Sequence, residues 1–171
     1  MKLSEINVGK TFTVDGMEFI KVKDTDKGCY VLSKEIVFNS SYGDNNNFSG
    51  SKILKSLNKE ILPKIEETIG AENVIEFKTD LTSLDGLKTY GDMTSKISLP
   101  TFDFYRENVK IFDEYKLDEF FWLATPDSTP EHINDWWVVC VSPRGNVRNN
   151  CHDSNGGVRP VLLFASDIFV S

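Results

Sequence analysis

The chain has 171 residues, 40% of them hydrophobic and 12% aromatic, and carries a net charge of -7. That length suits one domain with a substantial core, and the composition excludes a largely disordered chain. The acidic balance excludes broad binding to nucleic-acid backbones, which needs Lys and Arg gathered on one face; short carboxylate pairs such as Glu66-Glu67 and Asp118-Glu119 read as solvated surface.

Thr11 to Val14 and Met17 to Val22 flank Asp15-Gly16, a strong hairpin signal, and a third strand is predicted from Cys29 to Phe38. Asn39 to Gly50 reads as a polar loop of turn formers. From Ser51 the apolar spacing Ile53, Leu54, Leu57, Ile61, Leu62, Ile65, Ile69 predicts an amphipathic helix, broken or kinked near Leu62 by Pro63 and stopped by Gly70. Asn73 to Phe77 reads as a short strand and Leu81 to Lys96 as irregular. Thr101 is placed to cap a helix whose inner face carries Phe104 or Tyr105, Asn108 or Val109, and Phe112. Strands and helices do not alternate in the rhythm of a parallel sheet, so the fold class is α+β in a single domain, residues 1–171.

The stretch from Glu119 to Phe164 concentrates the chemistry of the chain. Phe120 to Ala124, Trp136 to Val141 and Val158 to Phe164 read as buried strands, with Trp122 in the core and one of Trp136 and Trp137 facing out. Ser142 to Gly157 reads as a polar loop, with Pro143-Arg144-Gly145-Asn146 as a tight turn. Asp127, His132, Asn134, Asp135, Trp136, Arg144, Asn146, Arg148, Asn149, Asn150, His152, Asp153 and Asn155 form the candidate binding surface, because aromatic and arginine side chains anchor while asparagine adapts. The alternative is a plain solvated loop.

Catalytic and metal readings find little support. Cys151, His152 and Asp153 are neighbours on an extended segment and point to alternate faces, and Cys140, Cys151, His132 and His152 follow no zinc spacing. No phosphate-cradling loop or nucleophile-elbow motif is present. Three cysteines without framework spacing and an N-terminus without an apolar leader predict a soluble protein of a reducing cytoplasm, with virion association as an alternative. No cofactor, metal, nucleic-acid or membrane partner is expected.

FWLATP, SPRGNV and GVRPVLLF, with MEFIKVKDTDKGCYVLSKEIVF and NNFSGSKILKSLNKEIL ahead of them, resemble the DUF6273 family of Firmicutes and their phages. The resemblance implies a C-type-lectin-like fold of the formylglycine-generating-enzyme branch, a twisted antiparallel sheet with two main helices. It also directs attention to Gly157, Arg159 and Pro160 as structural residues: a tight approach, a tied loop and a fixed φ before the last strand. Ala124 stands where the family has an arginine. Asn134-Asp135-Trp136 reverses the Trp-Asn-Asp order of calcium-binding lectins, and no pair of cysteines matches the copper site of the related enzymes. RNNCHDSNG, from Arg148 to Gly156, contains only residues reachable from an Asn codon through its adenines, the pattern of segments diversified by reverse-transcriptase elements.

The expectation is therefore a non-enzymatic phage or mobile-element binding protein that recognises a protein in preference to a carbohydrate. An anti-defence factor acting on a CRISPR nuclease is the alternative, and a formylglycine-generating-type enzyme is disfavoured.

Overall fold

Asp15 and Gly16 both take positive φ, 49° and 73°, the turn geometry that matches the twist of two flanking strands. In the computed structural model, which describes residues 1–171, they join β1 (Thr11–Val14) to β2 (Met17–Asp24) as expected. The predicted third strand is two strands. β3 (Cys29–Ser33) pairs with β2, and after residues 34–37 the chain resumes as β4 (Phe38–Ser40) in a different sheet. The two halves read as one run because the partly buried Ile36, Val37 and Phe38 continue the apolar pattern of β3.

Ser51 Oγ accepts from the Leu54 N–H and starts α1 (Lys52–Ser56). The helix does not stop at Pro63. It widens into a π turn over Leu57–Ile61, where the Leu62 N–H reaches Leu57 O, and continues as α2 (Leu62–Ile69) to Gly70 at φ 90°. Proline has no N–H to donate and its ring crowds the preceding turn, so a wider turn accommodates both without ending the helix. Asn73 to Phe77 is not a strand: Ala71–Asn73 forms a 3-10 turn, Val74 makes one bridge to Phe164, and pairing begins with β5 (Phe77–Asp80). Its partner β6 (Asp92–Ser95) lies in the stretch that reads as irregular, and β7 (Ile97–Ser98) follows. Thr101 Oγ1 accepts from the Phe104 N–H and caps α3 (Phe102–Glu107); α4 (Val109–Glu114) continues after a break at Asn108. Tyr105 and Phe112 are buried, whereas Val109 is exposed.

The C-terminal third supplies β8 (Phe121–Pro126), β9 (Trp137–Val141), β10 (Val147–Cys151), β11 (Gly156–Val158) and β12 (Val161–Phe164). One sheet runs β1-β2-β3-β12-β7, a second β10-β9-β8-β11-β4, and β5 with β6 forms a separate ribbon. Pairing is antiparallel except between β11 and β8. Both faces of the second sheet are covered at β8 and β9. Trp122, Ala124, Val138 and Cys140 join Ile53, Leu57 and Ile65 of the bent helix in the larger apolar cluster, while Phe121, Leu123, Val139 and Val141 meet Tyr105 and Phe112 in a smaller one. Burial on both faces explains why β8 is apolar without alternation. No helix is long and apolar enough to cross a membrane.

The two sheets meet where two strands change sheet side by side. β3 passes into β4 opposite the step from β11 to β12, and Ser33 N–H to Pro160 O and Val37 N–H to Val158 O keep the pairing through the crossing. Arg159 fills this junction, fully buried: Nε donates to Ser33 O at 2.8 Å, and Nη2 donates to Lys34 O at 3.0 Å and Tyr115 O at 3.1 Å. Its guanidinium lies 5.4 Å from the Phe112 ring centroid and 5.2 Å from that of Phe121. Burial pulls its pKa down to about 10, so it remains charged at neutral pH. Gly157 is required by space: a Cβ there would stand 2.8 Å from the Phe120 carbonyl oxygen, which the sheet holds in place.

Arg159→Ala strands one buried and two partly buried carbonyls and empties a buried site, and a loss of about 3 kcal/mol is expected, read from a urea titration. Arg159→Lys should recover little of it, because one ammonium lacks the flat fork that spans the end of β3 and the end of α4.

Candidate functional site

β9 and β10 form a hairpin at the end of the second sheet, closed by a turn in which Ser142 N–H reaches Asn146 O, Gly145 N–H reaches Ser142 O and Gly145 has φ 86°. Residues 147–151, expected as loop, are thus strand. They were misread because a strand covered on neither side carries no apolar signature. In the register, Val147 faces Val141, Arg148 faces Cys140 and Cys151 faces Trp137. Cys140 and Cys151 therefore lie on opposite faces, and all three cysteines are free thiols. Burial pushes the Cys29 and Cys140 thiols up to about 11.

Trp136 and Trp137 do not alternate in and out. Trp136 is 55% exposed and Trp137 39% exposed. β9 begins only at Trp137, so Trp136 belongs to the preceding loop, where its N–H is taken by Asn134 Oδ1 and its carbonyl by the His152 N–H. Ile133 is 59% exposed, and Leu84 and Val147 are exposed as well. Five of the nine exposed large apolar side chains of the chain thus belong to this hairpin and the two loops beside it.

The loop from Asp127 to Trp136 is held from behind by Asn46, which is 0% exposed. Its Nδ2 donates to Ser128 O at 2.9 Å and Trp137 O at 3.0 Å, its N–H donates to Asp135 O at 2.8 Å, and its Oδ1 accepts from Tyr90 OH at 2.6 Å. Every polar atom of that side chain is used in fixing the loop. The segment read as a polar loop, Asn39 to Gly50, is therefore partly core, with Tyr42 and Phe48 also buried and Tyr42 OH donating to Leu123 O.

A second clamp comes from Asp85. Its Oδ2 accepts from Ser128 Oγ at 2.6 Å and lies 2.7 Å from His132 Nδ1, and Ser83 Oγ donates to its other oxygen. Burial pushes the Asp85 carboxyl up, but the hydrogen bonds from Ser128, Ser83 and His132 outweigh it and hold it down to about 2. The carboxylate is the hub and Ser128 does not reach the imidazole, so this is a loop fastening and not the serine-to-histidine relay of a nucleophilic triad.

The remaining predicted surface residues divide. His152 Nδ1 is 2.7 Å from Gly43 O and Asn150 Nδ2 contacts Cys140 Sγ, so with Asn134 these side chains are engaged inside the protein, while Asp127 and Asp135 are half-buried. His132, Trp136, Arg148, Asn149, Asp153 and Asn155 are exposed around the hairpin and its flanking loops. Arg144 and Asn146 are exposed at the turn, the far end of β10 from Trp136, roughly 17 Å along a five-residue strand. Sequence reasoning missed Asn46 and Asp85, whose partners are remote in the chain. No group of three or more His, Cys, Asp or Glu side chains is arranged to hold a metal ion.

These observations define a mixed α+β domain with a fixed aromatic and polar surface at the end of one sheet. The chain matches no family model, no curated protein and no solved structure.

Asn46→Ala should cost about 2 kcal/mol, since it leaves the Ser128 carbonyl and the Tyr90 hydroxyl without partners and takes from the Trp137 carbonyl one of its two donors, and should shift the fluorescence of Trp137. Asp85 gives a pH signature. Its folded pKa lies below the ordinary 3.8, so its stabilisation is complete above that value and disappears as the pH falls towards about 2. Acid titration of the melting temperature should show that loss in the wild type and not in Asp85→Asn.

Proposed function

We propose that the chain is a non-catalytic protein-recognition module of the DUF6273 type, built on a C-type-lectin-like scaffold and carried by a phage or mobile element. The observation that carries this reading is the pair of exposed tryptophans where a loop fixed by Asn46 and Asp85 runs into β9. Large rigid aromatics presented on a preorganised loop supply binding area at low entropic cost. The GVRP segment supports the family assignment, because Gly157, Arg159 and Pro160 occupy the junction on which the sheets depend. A reducing compartment such as the host cytoplasm suits three free thiols, two of them buried.

The test is affinity capture with the tagged chain from bacterial lysate and from intact envelopes, comparing wild type with the Trp136→Ala, Trp137→Ala double variant. A partner recovered by the wild type and lost, by roughly a hundredfold in affinity, from a double variant of unchanged melting temperature is the expected result. A single host nuclease among the captured proteins would specify an anti-defence role. Equal capture by both proteins would overturn the reading.

A further inference from the structure

The outer edge of β10 is unpaired. Its ladder to β9 is bracketed by the bonds Ser142 N–H to Asn146 O and His152 N–H to Trp136 O, and bonded pairs alternate along an antiparallel ladder. Arg148 and Asn150 therefore direct their backbone groups towards β9, while Val147 and Asn149 direct theirs away from it. β10 ends the strand order of its sheet, and no other element pairs with it. The corresponding edge of the first sheet is treated differently: on β1 the Thr13 N–H donates to Ser171 O at 2.7 Å, so the C-terminal tail covers it. By the same alternation Cys151 faces outward too, though its carbonyl accepts from the Ser154 N–H, so a five-residue edge without proline and with free outward groups at Val147 and Asn149 is a template for another strand.

The edge also carries a charge unlike that of the chain. Arg144 and Arg148 are the only formally charged side chains between Val141 and His152, in a chain of net charge -7, and both are exposed and in no ion pair. Val147 and Asn149 alternate with Arg148 along the strand and, with Leu84, Asp127 and Arg148 itself, border a shallow depression of about 350 Å³. An added strand would place its side chains alternately against Arg148 and into this depression. A second copy of the chain fits poorly, because pairing Asn149 with its own equivalent sets the two Arg148 side chains at diagonal positions of one face, where like charges oppose each other.

We infer that β10 takes up an extended acidic segment of the partner protein by strand addition, with carboxylates facing Arg148 and small or apolar side chains facing the depression beside Val147. This deepens the recognition reading and rests on it. The tryptophans supply the anchor beside the hairpin, and β10 supplies the register.

The probe is a short synthetic peptide of alternating Glu and Thr, with its Lys and Thr counterpart as control, titrated into the full chain and followed by amide NMR. The expected result is saturable binding of the acidic peptide with shifts centred on Val147 and Asn149, weakening with salt, and no binding of the basic peptide. Arg148→Glu, an exposed change that leaves the fold unmoved, should weaken the acidic peptide by roughly tenfold or more. Asn149→Pro should abolish binding while preserving the ladder to β9, since it removes an N–H that points outward. Equal binding of both peptides, or undiminished binding by Asn149→Pro, would overturn the inference. A concentration-dependent dimer that Asn149→Pro dissolves would assign the edge to a second copy and overturn it as well. Partner capture that depends on Trp136 and Trp137 while no acidic strand binds would remove strand addition and leave the recognition reading standing.

Discussion

The structure depends on one buried cation. Arg159 sits where two paired strands cross from one sheet to the other, and its three hydrogen bonds reach the end of β3 and the end of α4. No carboxylate pairs with it; backbone carbonyl dipoles and the faces of Phe112 and Phe121 stabilise the charge instead. Removing a guanidinium from water is costly, and the lowered pKa reflects that cost. The junction persists because Pro160 and Gly157 let the strand turn where the guanidinium must sit. Shifting this point would move β11, and with it the strand beside Phe121.

From that junction the position of the exposed aromatic rim follows by packing. β8 lies beside β11 and is buried on both faces, between the bent helix α1–α2 on one side and α3–α4 on the other. β9 inherits the same enclosure over Val138–Val141, and only its first residue, Trp137, escapes cover. The surface is therefore the rim of a doubly covered sheet. Its backbone is as well fixed as the core, while its side chains reach solvent.

How much of this was legible in the sequence depended on how local the determinant was. Asp15-Gly16, Ser51 and Thr101 act within a few residues of themselves, and turn and caps stand where the residues placed them. Arg159 was legible as a tie, though its acceptors were not. Pro63 signalled a disturbance but not its resolution into a π turn, because the alternatives differ by one hydrogen bond in a helix held by tertiary packing. Asn46 was hidden among three successive asparagines of equal local propensity. Which of them turns inward is decided by Ser128, Asp135 and Trp137, far along the chain. The change of sheet after Ser33 was hidden for a related reason: an apolar run says that a strand is buried, not against which neighbours. The Trp136-Trp137 pair misled because alternation holds only within a strand, and β9 begins between the two residues.

The hold that Asn46 exerts on its loop has a consequence for variation. Its bonds to Ser128, Asp135 and Trp137 all end on backbone carbonyls, which every residue type possesses. The side chains of Ile133, Trp136 and Trp137 are exposed and contribute nothing to that attachment. Chemistry at the surface can therefore be exchanged position by position while the framework that shapes it stays the same. The exposed side chains of this rim are thus free to vary without prior stabilising substitutions elsewhere.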